Sequence, residues 1–183
     1  KVCMPQPDNQ VTELAIYSGK IYVAGNFASI AGQTRNRIAS FTLSNKALTT
    51  WAPSVNSQIE EMTLHGRRLY IGGVFTSIDG NSRGRVASFD LATGNLTSWN
   101  PGSNGVIYGL AGWKNVIYAS GQFSTIGGQS RNNLAAIDTS SATATAWNIN
   151  VNNYVLDLAV VNDTLFIGGG FTRVGGVIRK GIA

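Results

Sequence analysis

The chain has 183 residues, of which 43% are apolar and only 13% are charged, and its net charge at pH 7 is +5. The single cysteine, Cys3, excludes an intrachain disulfide, and one cysteine with one histidine (His65) cannot form a Cys/His zinc site within this chain. No apolar run is long enough to span a membrane, so the sequence predicts no membrane insertion. The basic residues do not cluster or interleave with aromatics in one strip, so we predict no nucleic-acid binding.

The dominant feature of the sequence is a repeat with a period of 48 residues, which no insertion interrupts. Three sets of residues keep this spacing throughout the chain. They comprise Phe27, Phe75, Phe123 and Phe171; Trp51, Trp99 and Trp147; and Arg35, Arg83, Arg131 and Arg179. A period of roughly 20–50 residues indicates a repeat architecture in which each unit buries its apolar face against the next.

Four short strands are predicted within the first repeat, at residues 11–17, 21–25, 37–43 and 48–51. They are β-branched, aromatic and apolar segments separated by turn-forming residues, and no segment has the apolar spacing of a helix. A leucine or methionine at one position of the first strand is expected to face the core (Leu14, Met62, Leu110 and Leu158). The loop before the third strand holds a glycine in every repeat, which is expected to supply a positive φ or to let another backbone come close (Gly32, Gly80, Gly128 and Gly176).

This pattern predicts an all-β fold, a β-propeller of four-stranded blades with a 48-residue repeat and about four blades in this chain. The repeats are 11–58, 59–106, 107–154 and a partial 155–183, in one domain or fragment spanning 1–183. Residues 1–10 match the outer strand and exit loop of an adjoining blade, with Cys3 at the position of the repeated Trp. The Phe and Trp sets are the expected structural wedges between blades.

The ends of the chain leave three arrangements open. We favour a piece of a longer propeller, because four blades is the low end of the known range. The alternatives are a small ring closed by its own N-terminal strand, and two chains assembled into one ring. The start at Lys1, without Met or an apolar signal segment, is expected of a processed chain or a fragment.

The residues resemble a known group of propellers. A strand ending in Gly72 and Gly73, followed by a Trp that closes the unit, resembles kelch-type blades. The longer unit LYIGGVFTSIDGNSRGRVASFDLATGNLTSWNP, residues 69–101, is similar to bacterial delta-sixty repeat propellers. Those propellers are usually modules of large secreted or surface proteins, which implies an extracellular or cell-surface setting. This sequence departs from the pattern at Ala24, at Ser120 and at Cys3.

Two repeated sets of polar residues are candidate ligand-binding groups. The arginines Arg35, Arg83, Arg131 and Arg179 are predicted to share one loop face with Asn56, Asn104 and Asn152. Guanidinium and amide groups could hold a sugar, a carboxylate or a partner protein. The alternative is that each arginine binds backbone carbonyls of its own or the next blade, which its presence in every repeat favours.

No catalytic constellation, metal site or cofactor motif is evident in the sequence. Glu60 and Glu61 are neighbours on a strand and should point to opposite faces, so they do not form an acid/base pair. Asp90 and Asp138 lie beside turns, where we expect them to cap the backbone. His65 occupies an aromatic and apolar position and is interpreted as a packing residue. A glycosidase pair drawn from different blades remains an alternative.

The sequence therefore favours a non-enzymatic extracellular propeller that acts as a scaffold or as a binding module of a larger secreted or surface protein. The expected partner is a protein, a glycan or a neighbouring domain of the same polypeptide, and incomplete ring edges suggest self-association. The alternative is part of a propeller-type lyase or glycoside hydrolase whose catalytic groups lie partly outside this chain.

Overall fold

The computed structural model describes residues 6–183 and is all-β, in agreement with the predicted propeller of blades that recur every 48 residues. Blade 1 contains β1 (Val11–Tyr17), β2 (Lys20–Gly25), β3 (Ser29–Ile30), β4 (Gln33–Thr34) and β5 (Ile38–Thr42). Blade 2 contains β6 (Ile59–His65), β7 (Arg68–Gly73), β8 (Ser77–Ile78), β9 (Asn81–Ser82) and β10 (Val86–Asp90). Blade 3 contains β11 (Val106–Trp113), β12 (Val116–Gln122), β13 (Thr125–Ile126), β14 (Gln129–Ser130) and β15 (Leu134–Asp138). Blade 4 contains β16 (Val155–Val161), β17 (Thr164–Gly169), β18 (Arg173–Val174) and β19 (Val177–Ile178).

The first three blades are antiparallel three-stranded sheets with the orders β1-β2-β5, β6-β7-β10 and β11-β12-β15. In blade 4, β16 pairs with β17, and Ile182 adds a single bridge to Gly168. The predicted outer strand at Cys3 lies outside the described residues. No helix within residues 6–183 is long and apolar enough to cross a membrane.

The fourth strand of blades 1 to 3 is shorter than predicted. Only one residue per blade pairs with the third strand, as Leu48 does with Phe41 and Leu96 with Phe89. Backbone hydrogen bonds flank this bridge, since the NH of Thr97 donates to the carbonyl of Ser88 at 2.9 Å. Side chains add to them, because the carbonyl of Thr97 accepts a hydrogen bond from Arg83 and its hydroxyl bonds that of Ser88. The outer edges of blades 1 to 3 are therefore held by backbone and side-chain hydrogen bonds together.

The loop between the second and third strands is more ordered than predicted. It contains a two-residue strand pair such as β3–β4, closed by Ala31 and Gly32 with φ of 54° and 71°. Positive φ at both central residues is typical of a type I′ turn, which matches the twist of a hairpin. Gly80, Gly128 and Gly176 also have positive φ, as predicted.

Every first strand contains a bulge at the same position of the repeat. In blade 2 the register shifts between Ile59 and Glu61, and the other three blades shift at the equivalent residues. A bulge interrupts the alternation of side chains along a strand. Ile59 and Met62 can therefore both be buried against blade 1, while Glu61 pairs with Gly72.

The core lies between neighbouring blades, where the repeated aromatics pack. The ring of Trp51 makes edge-to-face contacts with Tyr22 of its own blade at 5.4 Å and with Phe89 of the next blade at 5.2 Å. Its indole NH donates to the carbonyl of Gly94 at 2.8 Å. Phe27 and Phe75 are fully buried. Each such aromatic buries about 150–250 Å² and contributes strongly to stability.

The inner strands pack in series, β1 on β6, β6 on β11 and β11 on β16, while β16 and β1 form no comparable interface within residues 6–183. Because of this open arrangement, the prediction that all four residues at the Leu or Met position face the core is wrong for blade 1. Met62, Leu110 and Leu158 are buried as predicted, but Leu14 is 65% exposed. Leu14 lies on the side of blade 1 that faces away from blade 2, so the other three blades do not cover it.

Candidate binding surface

The propeller presents two opposite faces. The loop face carries the short hairpins, such as β3–β4, and the exit loops that lead into each blade; bridges such as Val55 to Ile78 join them. The turn face carries the turns that join the first two strands of each blade and the turns that follow the third strands. The predicted arginine and asparagine candidates lie on the loop face.

The loop-face arginines bind the backbone of their own blades. Arg131 is only 9% exposed, and its two terminal nitrogens donate to the carbonyls of Ser130 at 2.7 Å and Thr145 at 2.5 Å. Arg35 and Arg83 make the equivalent pairs of bonds. Arg179 is exposed and donates to Ile178 at 3.0 Å. These contacts give the arginines an anchoring role, and a ligand-binding role for them stays a prediction.

The loop-face asparagines clamp the exit loop to the hairpin that follows. The side-chain oxygen of Asn56 accepts from the backbone of Thr76 and Ser77, and its NH₂ group donates to the hydroxyl of Thr76. Asn104 and Asn152 repeat this arrangement. Their exposed amides are thus already engaged within the protein, and ligand binding by them also stays a prediction.

Asp90 and Asp138 cap turns, as predicted. The carboxylate of Asp138 accepts from the hydroxyl of Ser140 and from the backbone of Ser140 and Ser141, which holds its pKa well below the usual range. Backbone NH groups of Thr93 and Ala92 similarly lower the pKa of Asp90. Both carboxylates stay ionised and fix the turn-face loops.

The turn face differs from blade to blade. Between blades 2 and 3 it forms an open cleft of about 500 Å³, lined among others by His65, Arg67, Arg68 and Asp90. Arg68 donates to the carbonyl of Thr139 in blade 3 at 2.9 Å, which holds the two walls together. Arg67 on the rim is exposed.

His65 on the wall of this cleft contacts the turn of blade 3 that carries Trp113 and Lys114. The ring of His65 lies against Gly112, where a Cβ atom would come within 2.3 Å of it, and its Nε2 bonds the carbonyl of Lys114 at 2.7 Å. The ammonium group of Lys114 lies 3.8 Å from the centre of the Trp113 ring, and the Trp113 NH donates to Asp163. His65 is thus a packing residue, as predicted. The surface combines cations with a partly exposed aromatic ring.

A third group of polar residues was not recognised in the sequence. Glu13, Glu61 and Asp157, here termed the axial carboxylates, occupy one position of the repeat on the inner strands, where blade 3 has Gly109. Burial, and then the charges of Glu13 and Asp157, raise the pKa of Glu61 to about 8. Burial and the charge of Asp157 raise the pKa of Glu13. The 48-residue spacing of these acids in the sequence could have identified the group. The assumption that side chains alternate strictly along a strand hid the orientation that they share.

The axial carboxylates do not form a metal site in this structure. Among residues 6–183, no three His, Cys, Asp or Glu side chains are arranged to hold a metal ion. The buried hydroxyl of Ser120 lies beside Gly109 and is without a hydrogen-bond partner in the described part of the chain. The group is therefore an acidic, partly buried cluster whose members repel one another.

Comparisons with known proteins support the β-propeller class. Residues 18–42 match the family described as a domain of unknown function (DUF5122) beta-propeller. A search of curated proteins gives no significant match. The finer resemblance to delta-sixty and kelch-like propellers stays a prediction.

Solved structures show the same fold at low sequence identity. The computationally designed Ika4 protein is similar with a TM-score of 0.63 and 14% identity, over 94% of each chain. The RRP9 WD40 repeats give a TM-score of 0.62 at 13% identity, over 87% of this chain and 45% of that one. The WD40 propeller domain of Doa1 gives 0.60 at 12% identity, over 87% and 48%. This chain thus spans less than half the length of those WD40 chains.

Proposed function

We propose that this chain is a non-enzymatic binding module of a larger secreted or surface protein, and that its partner, a protein or a glycan, docks on the turn face. The observation that carries the proposal is the contrast between the two faces. Repeated polar groups on the loop face are engaged with backbone in blade after blade, whereas cations and aromatics on the turn face are particular to single blades.

The cleft between blades 2 and 3 is the best-supported docking position. Arg67 is exposed at its rim, and Lys114 with Trp113 lies on the adjoining blade. A guanidinium group binds carboxylates with directional hydrogen bonds, and an aromatic ring offers a flat apolar platform. A partner with an acidic group beside an apolar surface, either an acidic peptide segment or an acidic glycan, fits this chemistry.

The experiment compares two exposed arginines on opposite faces. The purified chain is applied to an array of acidic and neutral glycans and to an array of acidic peptides. We expect binding to acidic members of one array, and a loss of at least about tenfold in affinity for Arg67→Glu, because the carboxylate introduced repels the partner. Arg179→Glu on the loop face is the matched control and should bind as the unchanged chain does.

The outcomes separate the two surfaces. Loss of binding in Arg179→Glu, with Arg67→Glu unaffected, would transfer the function to the loop-face residues predicted from the sequence. Silence of the unchanged chain on both arrays would leave a scaffold role, in which the partners are neighbouring domains. Circular dichroism and thermal unfolding establish that both variants remain folded.

One observation favours a second candidate, part of a propeller-type lyase or glycoside hydrolase. Burial, and then the charges of Glu13 and Asp157, raise the pKa of Glu61 to about 8, and a carboxyl group that keeps its proton near neutral pH can act as the general acid in glycoside cleavage. Polysaccharide cleavage followed by reducing-end release, abolished in Glu61→Gln, would support it. Absence of cleavage across acidic and neutral polysaccharides would leave the binding role.

The extracellular setting is part of the proposal and depends on the resemblance to secreted repeat propellers. The low fraction of charged residues suits a module held within a larger assembly. Fractionation of cells that produce the parent protein, with an antibody against this chain, tests the location. Signal confined to the cell interior would contradict it.

A further inference from the structure

We propose that the junction between blades 1 and 2 holds a second, smaller binding site on the turn face, which takes one sugar ring that carries a carboxylate. The site consists of two adjoining hollows of about 220 and 180 Å³, here together termed the blade 1–2 cavity. Lys20, Tyr22, Leu91 and Ala92 line both hollows. The proposal goes beyond the docking cleft between blades 2 and 3 and does not depend on it.

The equivalent junction between blades 2 and 3 is bridged by an arginine. Arg68 donates to the carbonyl of Thr139 across the junction at 2.9 Å. Burial raises the pKa of Tyr70, and the nearby Arg68 acts against this effect by hydrogen bonding and by its charge. Trp99 contacts the ring of Tyr70 and is only 3% exposed. The polar groups at this junction therefore find partners within the protein, and its tryptophan is covered.

Blade 1 has a lysine where blade 2 has this bridging arginine. Lys20 occupies the position of Arg68, and the carbonyl of Leu91 occupies the position of the Thr139 carbonyl. Lys20 is exposed, and within residues 6–183 it makes no hydrogen bond to Leu91. The ammonium group of Lys20 and the carbonyl of Leu91 are thus open to a ligand.

A buried tyrosine hydroxyl in the blade 1–2 cavity is without a partner. Tyr22 is only 4% exposed and lines both hollows. Burial, and then the neighbouring Tyr17, raise the pKa of Tyr22, and no hydrogen bond from another residue in 6–183 opposes the increase. Trp51, the equivalent of Trp99, is only partly buried and lines the larger hollow. A nearly buried donor and an aromatic face therefore point to a ligand in this cavity.

The charge around the cavity is positive. Arg67 of blade 2 lines the smaller hollow beside Lys20, and among the described residues no Asp or Glu lines either hollow. Asp90, which lies near Arg67, lines the neighbouring cleft and accepts hydrogen bonds from the backbone of Ala92 and Thr93. Ammonium and guanidinium groups both bind carboxylates, so the cavity favours an anionic ligand.

The remaining chemistry of the cavity fits a sugar. The rings of Trp51 and Phe89 offer an apolar surface, Lys20 and Tyr22 are donors, and the carbonyl of Leu91 is an acceptor. A carboxylated sugar combines an apolar ring face, a carboxylate that accepts and hydroxyl groups that donate. Both hollows are smaller than the roughly 300–1,000 Å³ of sites for drug-sized ligands, which agrees with a single ring.

A peptide strand is the less suitable ligand for this cavity. Extended peptides bind by adding a strand to a free sheet edge, where the backbone supplies the hydrogen bonds. The strand that carries Lys20 and Tyr22 is β2, which is already paired with β1 on one side and with β5 on the other. The cavity therefore offers side chains and one carbonyl, and no strand edge, to its ligand.

The experiment compares glucuronate with glucose, which lacks the carboxylate. Isothermal titration calorimetry of the purified chain should show binding of glucuronate with a dissociation constant on the order of 1 mM, and at least about tenfold weaker binding of glucose. The indole NH of Trp51, which donates to the carbonyl of Gly94, should shift in the NMR spectrum on addition of glucuronate. Comparison with Trp51→Phe assigns that signal.

Two substitutions test the cavity in different ways. Lys20→Glu reverses its charge, and Ala92→Trp fills it while leaving every charge in place; each should weaken glucuronate binding by at least about tenfold. Lys46→Glu is the matched control, because it makes the same change of charge on the turn face of blade 1 and Lys46 does not line the cavity. Arg67 is left unchanged, since it also lines the cleft between blades 2 and 3.

Four results would overturn the proposal. They are the absence of heat and of NMR shifts at about 10 mM glucuronate, equal affinities for glucuronate and glucose, equal losses in Lys46→Glu and Lys20→Glu, and binding of a hexaglutamate peptide without binding of glucuronate. Far-UV circular dichroism of each variant establishes that the blades remain folded, which is expected because Lys20 and Ala92 are exposed. The test of the cleft between blades 2 and 3 uses Arg67 and is unaffected by these results.

Discussion

Blades 3 and 4 carry the same kinds of residue at the same positions, yet those residues have different surroundings. Arg131 in blade 3 is almost buried and bonds the carbonyl of Thr145, which its own fourth-strand segment provides. Arg179 in blade 4 is exposed and bonds only the adjacent Ile178 among the described residues. An identical side chain is thus an anchor in one blade and a surface group in the other.

The repeated tryptophans also differ in their surroundings, between blades 2 and 3 on the one hand and between blades 3 and 4 on the other. Trp99 is 3% exposed, contacts Tyr70 at 5.0 Å and donates its indole NH to Asp138 of the next blade. Trp147 contacts Tyr118 in the same manner, but it lines a cavity of about 410 Å³ between blades 3 and 4. The comparison teaches that the contribution of a repeated tryptophan to stability depends on how completely the next blade encloses its ring.

The largest expected effect comes from removing a fully enclosed wedge. Trp99→Ala should lower the free energy of unfolding by about 3–5 kcal/mol, because it creates a cavity and leaves the carbonyl of Asp138 without its donor. Trp147→Ala should cost only about 1–2 kcal/mol, since part of the ring already faces a cavity. Urea denaturation followed by circular dichroism measures both. Equal losses of unfolding free energy in the two variants would contradict this difference between the blade 2–3 and blade 3–4 interfaces.

The arginine set should show the next largest difference. Arg131→Ala removes the donors to the carbonyls of Ser130 and Thr145 and should cost about 2–3 kcal/mol. Arg179→Ala alters an exposed side chain and should change stability by less than about 0.5 kcal/mol. A large loss in Arg179→Ala would contradict the contrast between blades 3 and 4. Chemical denaturation of the two variants under one buffer condition provides the test.

The axial carboxylates predict a dependence of stability on pH. The pKa of Glu61 is about 8 in the folded chain and near 4.5 when unfolded, so its favourable contribution is complete below about pH 4.5 and is lost as pH rises through 8. Glu61→Gln should remove this loss and make the chain more stable than the unchanged chain above pH 8, by about 2 kcal/mol after solvent screening.

A second substitution sharpens this pH experiment. Glu13→Gln removes one of the charges that raise the pKa of Glu61, so the loss of stability with rising pH should end at a lower pH and be smaller in this variant. Thermal unfolding between about pH 4 and 9 measures both effects. If the unchanged chain and Glu61→Gln gave identical profiles of stability against pH, Glu61 would not be the source of the pH dependence.

Much of the fold follows from spacing alone. The 48-residue recurrence of Phe and Trp predicted blades with aromatic wedges, and the repeated glycines predicted turns with positive φ, because both requirements act within one repeat or between adjacent repeats. The short hairpins within the loops and the reduced fourth strands were missed. In the fourth-strand segment, for example, the side chain of Arg83 donates to the backbone carbonyl of Thr97, which lies 14 residues away in the sequence.

The sequence by itself determined the repeat, the strand order within each blade and the residues available for packing, since the chemistry of one repeat specifies them. The tertiary structure alone decided which copies of those residues are buried. The bulge after Ile59 placed Glu61 among other acids, and the open ends of the arc left Leu14 and Phe166 exposed. Burial and mutual repulsion depend on the distance between blades, which a local sequence pattern does not contain.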